Sequence, residues 1–105
     1  MIKWMEKPYY GPGARVRHRS LRRKIDAGRY VPGVFLITEA ENPSEQLEII
    51  DNAYLQQKKI RDSLPRIVGL AYGKEEAFQI IRQIAAECMR ETGGCDLAAY
   101  LKEQG

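Results

Sequence analysis

The stretch that most constrains the fold is Arg66-Ile-Val-Gly-Leu-Ala-Tyr72, because a long helical repeat follows it almost at once. Apolar on both faces, it reads as a central strand covered by helices on each side. Across residues 75–92, Ala77, Phe78, Ile81, Ile84, Ala85 and Cys88 recur at the spacing of one amphipathic helical face. Gly93-Gly94 ends that helix, and Asp96 caps a last short one through Leu101. A buried strand needs partners, so the rest of the chain is read for them.

Val34 to Thr38, β-branched and aromatic after Pro32-Gly33, is a second strand. Asn42-Pro43-Ser44-Glu45 reads as a helix start, with Asn42 as cap and Pro43 in the first turn. Leu47, Ile50 and Tyr54 then recur at helical spacing, and Pro65 forces a stop by about Ser63. Acidic residues at the start of that segment, and Lys58, Lys59 and Arg61 at its end, complement a helix dipole. Two strands joined through a helix of this length are parallel, with a right-handed crossover.

Two strands alone make a poor sheet, so a third comes from Ile2 to Met5, from the alternating Ala14 to His18, or from a second subunit. Ser20 to Ala27 reads as a short helix, with Leu21 and Ile25 on one side and Gly28 as its stop. The expected fold is therefore a small single α/β domain of strand-helix-strand-helix order with a parallel crossover. Residues 31–105 form its core, and residues 1–30 are a basic N-terminal extension that adds a strand and a short helix.

Length and composition fit that reading. At 105 residues the chain supports one core, and 44% hydrophobic with 30% charged residues is ordinary globular usage. No apolar run approaches the twenty or so residues that span a bilayer. Charges interrupt the N-terminus, which lacks the apolar region of a secretory signal. The cytoplasm is the expected compartment. Cys88 and Cys95 are then expected as free thiols, and with one histidine the chain offers no zinc-ligand spacing.

Charge is distributed unevenly. Residues 1–30 hold nine Lys or Arg against two acidic residues, a balance of +7, whereas residues 31–105 hold eight against twelve, a balance of −4. The densest part is RVRHRSLRRK, residues 15–24, in which arginine outnumbers lysine five to one. Planar guanidinium groups suit bidentate contact with phosphate and stacking on bases. Arg15, Arg17, His18, Arg19, Arg22, Arg23, Lys24 and Arg29 are accordingly the candidate nucleic-acid-binding residues, for RNA or DNA. Tyr9, Tyr10 and Tyr30 are aromatic neighbours in sequence, and Trp4, Met5, Tyr9 and Tyr10 form either an interface or a lid over the core. With an extended 14–18, Arg15, Arg17 and Arg19 share one face.

The competing reading is that this extension pairs with carboxylates of its own chain or of a second copy, making the protein an adaptor or a homodimer. Enzymatic readings have less behind them. Gly69 to Glu75 follows a strand and contains Gly-Lys, but three residues rather than four separate its glycines and Glu75 stands where a phosphate loop needs Ser or Thr. Glu39, Glu41 and Glu75, expected together beyond the carboxyl ends of the two strands, are the candidates for a metal-dependent hydrolase. His18 has no acidic or nucleophilic neighbour in sequence to make it a base. The expectation is a non-enzymatic binding module with no cofactor.

Overall fold

The computed structural model describes residues 1–42 and 45–105. Its centre is the strand Ile67–Tyr72 (β4), buried along nearly its whole length as an apolar run between helical layers should be. Three more strands join it, Trp4–Tyr10 (β1), Val34–Glu39 (β2) and Leu47–Asp51 (β3), in the order β1-β4-β2-β3. β1 runs parallel to β4, while β2 runs antiparallel to both β4 and β3.

Helices cover both faces. Gly73–Thr92 (α4) and Leu97–Glu103 (α5) lie on one side, where Ala77, Ile80, Ile84, Cys88 and Leu101 pack against Met5, Ile37, Val68 and Ala71. On the other side Pro12–Arg15 (α1), His18–Asp26 (α2), a 3-10 helix Asn52–Gln56 and Lys58–Ser63 (α3) cover Val34, Leu36, Ile67 and Leu70. The small single α/β domain stands, and the N-terminal extension does supply a strand and a short helix. Among the described residues, no helix is long and apolar enough to cross a membrane.

Several expectations are corrected. The helix read across 42–63 is instead β3, the 3-10 helix and α3; Pro43 and Ser44 of its proposed cap lie outside the described residues. Leu47 and Ile49 pack toward the α4 layer while Ile50 packs toward the opposite one. That is the two-residue alternation of a strand, which a short apolar run shares with helical spacing. Asp51 then accepts from the Ala53 amide at 2.9 Å and turns the chain into the 3-10 helix.

Because β3 reverses the chain in place of a long helix, β2 and β4 are antiparallel neighbours and not the parallel pair of the crossover reading. Their ladder carries one extra residue at Val68, since Thr38 faces Ile67 while Ile37 faces Gly69. The extended reading of Ala14 to His18 fails too; Ala14 and Arg15 end α1, Val16 and Arg17 form a turn, His18 opens α2, and the third strand is Trp4–Tyr10. Pro8 is tolerated there because β1 is an edge strand.

α4 begins at Gly73, whose φ of 77° lets β4 turn into the helix with no intervening loop. Its buried face is Ala77, Ile80, Ile84 and Cys88, so Phe78 and Ala85, expected inside, are exposed and Ile81 is half-buried. The apolar arc is wider than the arc the sheet covers. Cys88 is buried and Cys95 exposed, both as free thiols.

Candidate nucleic-acid interface

α2 displays the basic residues because its two apolar side chains leave them no other place. Leu21 and Ile25 are fully buried against the sheet, which turns Arg19, Arg23 and Lys24 outward. Arg15 at the end of α1, Arg17 at the junction of the two helices and Arg29 beyond α2 are exposed as well. Three shallow clefts run along this surface. One is lined by Arg17, His18, Arg19 and Arg23, a second by Tyr10, His18, Arg19, Arg22, Arg23 and the carboxylate of Asp26, a third by Arg23, Lys24 and Arg29. Arg23 borders all three.

Arg22 is set apart from the others. Its guanidinium carbon lies 4.6 Å from the Trp4 ring centroid, a cation–π contact, and the Trp4 indole N–H donates to Asp26 Oδ1 at 2.7 Å. The sole carboxylate of α2 is thus engaged by an indole, which ties the helix to β1. Trp4 and Tyr10 pack toward the α2 layer and Met5 and Tyr9 toward the α4 layer, so the aromatic cluster of the N-terminus belongs to the edge strand.

His18 stacks on Tyr10, with ring centroids 4.8 Å apart and planes tilted by 35°. Its Nδ1 lies 2.9 Å from the Arg15 carbonyl oxygen, so Nδ1–H donates and Nε2 is the ring atom left to meet a ligand. No side chain caps the α2 N-terminus and no acidic residue occupies its first turn. Arg17 and Arg19 sit there instead, at the positive end of the helix dipole, where cations are disfavoured. A bound anion would relieve that arrangement.

The downstream carboxylates do not do so. Among the described residues, the charge pairs within 4.0 Å are the Met1 amino group and Lys58 with Asp62, Arg66 with Glu39, Arg82 with Glu75, and Arg90 with Glu91. None involves residues 15–29. Arg61 of α3 donates to the Leu55 carbonyl oxygen at 2.6 Å and serves the fold.

The carboxylates proposed for a metal are not brought together. Because β2 and β4 are antiparallel, the carboxyl end of β2, with Glu39, lies at the opposite end of the strands from Tyr72 and Glu75. Glu39 is held by Arg66 at 3.2 Å, and no group of three or more His, Cys, Asp or Glu among the described residues is placed to hold a metal ion. Glu41, Glu45 and Glu48 instead make an acidic patch beside β3. Partial burial, and then repulsion by Glu45 and Glu41, push the Glu48 carboxyl above its usual range.

One feature next to the basic face is absent from the sequence reading. Gly11 and Pro12 bring the β1–α1 turn against α4, leaving a cleft of about 420 Å³ bordered by Tyr10, Arg15, Gln79, Ile80 and Gln83. The approach is close: a Cβ on Gly11 would collide with the Glu76 side chain, whose carboxylate accepts from the Gly13 and Tyr72 amides, each at 2.9 Å. The glutamine pair four residues apart on α4 is the only sequence signal of this cleft. Searches of protein-family models, curated proteins and solved structures found no match for the chain.

Proposed function

We propose that the chain is a non-enzymatic nucleic-acid-binding module, acting in the cytoplasm, that engages the phosphate backbone through Arg15, Arg17, Arg19, Arg23, Lys24 and Arg29. The observation that carries this reading is the unpaired, outward-facing state of these side chains among the described residues, on a helix whose positive end bears arginine where an acid is favoured. Such a face binds by counterion release, with little preference for sequence. His18 contributes one hydrogen bond, and Arg22, held on Trp4, positions α2 and adds charge from behind.

The test is salt-dependent binding to generic RNA and DNA. If about five of these cations neutralise phosphates, log affinity falls against log salt with a slope near −4.5 on a duplex and near −3.5 on a single strand. A slope near zero, or no binding in dilute salt, removes the reading.

A second reading is favoured by the acidic patch at Glu41, Glu45 and Glu48 and by the exposed Phe78 and Met89 of α4. Here the protein is an adaptor or homo-oligomer, in which the basic face of one copy meets the acidic edge of the next. Sedimentation separates the two. A salt-sensitive oligomer free of nucleic acid supports the second, and a monomer that retards RNA or DNA supports the first.

A further inference from the structure

We infer that the nucleic acid is single-stranded and that one of its bases, preferentially adenine, enters the cleft between the β1–α1 turn and α4. This rests on the binding function proposed above and specifies its substrate. Tyr10 borders both the Gln79/Gln83 cleft and the arginine-lined one that holds His18, on whose ring it stacks, and Arg15 joins Tyr10 in the first. Aromatic rings along a basic track are the arrangement that holds single strands.

The chemistry of the lining supports a base. Ile80 is buried and supplies an apolar floor, and Gln79 and Gln83 are exposed on the same face of α4, one turn apart. A primary amide both donates and accepts, and the paired contact it makes best is to the N6 and N7 edge of adenine. Gln83 Nε2 lies 3.4 Å from Glu87 Oε2, a long contact that an incoming base can replace. Arg15 at the rim is placed for the phosphate or the ring face of that nucleotide. The cleft volume of about 420 Å³ lies within the range of clefts that hold small ligands. A duplex would have to flip a nucleotide out of its stack to reach this cleft, breaking its pairing and stacking; a single strand would not.

The experiment measures anisotropy of fluorescein-labelled oligo(A), oligo(U) and a mixed-sequence RNA duplex with the full chain, over a range of salt. The expected result is oligo(A) bound at least about fivefold more tightly than oligo(U) at equal salt, with the duplex weaker than both. The double substitution Gln79→Ala/Gln83→Ala should erase the preference for oligo(A) and leave the salt slope in place, since it removes no charge. Both positions are exposed, and circular dichroism verifies the fold. A duplex bound as tightly as oligo(A), or a preference that survives the double substitution, overturns this inference alone. Absence of binding to all three probes in dilute salt overturns the nucleic-acid reading itself.

Discussion

Replacing Arg19 and Arg23 by alanine tests the interface most directly, because the structure separates their role from that of Arg22 on the same helix. Both are exposed, both border the cleft beside His18 and Tyr10, and among the described residues neither forms a charge pair within 4.0 Å, Asp26 of the same cleft being engaged by Trp4. With about five phosphate contacts on a single strand, the wild-type slope of log affinity against log salt is near −3.5, and loss of two contacts brings it to about −2.1. If the two proteins bind alike at about 1 M salt, where the electrostatic contribution vanishes, the double variant binds about 25-fold more weakly at about 0.1 M. Arg22→Ala should act differently. It removes the contact with Trp4, costs about 0.5–1 kcal/mol of stability, and changes the slope by no more than one contact. Anisotropy titrations across salt, with urea unfolding of each variant, measure both quantities. Parallel lines for wild type and the double variant, at any offset, would refute the assignment of these arginines to phosphate.

Other outcomes follow from the same geometry. Arg19→Glu places an acid in the first turn of α2, so it should stabilise the fold by about 0.3–1 kcal/mol in thermal unfolding while weakening nucleic-acid binding; destabilisation would contradict the dipole argument. Asn52 is buried, accepts from the Val31 amide at 2.8 Å and donates to the Val31 and Val34 carbonyls at 2.7 and 2.6 Å. Asn52→Ala strands those three groups and should cost about 3–5 kcal/mol by urea unfolding with little change in slope. Burial, reinforced by the adjacent Glu87 carboxylate, raises the Tyr9 phenol well above its ordinary value of 10.0. The fold therefore disfavours the phenolate: stability is undiminished below about pH 10 and declines as pH rises further, and Tyr9→Phe should flatten that decline in urea titrations between about pH 9 and pH 11.

The exposed flank of α4 explains why one helix was both easy and hard to read. Its existence and extent follow from apolar spacing and from Gly93, because periodicity over five turns has few competing explanations. Which part of its apolar arc is buried depends on where the sheet lies, and Phe78 falls outside that contact. The same division runs through the candidate site. Arginine density in residues 15–24 is local and legible, and so is the pairing of Leu21 with Ile25 that turns the arginines outward. Gln79 and Gln83 come to share a cleft with Tyr10 and Arg15 only because β1 and β4 lie side by side and Gly11 lets the turn approach α4.

From the residues alone came two strands, the long helix and its short successor, the short basic helix, and the concentration of positive charge in the first third. Each is a property of neighbouring residues, expressed through backbone preference, side-chain period and like charge close in the chain. Tertiary structure decided that Leu47–Asp51 is a strand, because β2 offered an open edge whose hydrogen bonds outweigh a helical spacing only a few residues long. It also set β2 against β4, which parted Glu39 from Glu75, and it placed Trp4 beside Arg22 and Asp26. Such pairings are chosen by how much apolar surface the whole chain can bury at once, a quantity that no single window of sequence contains.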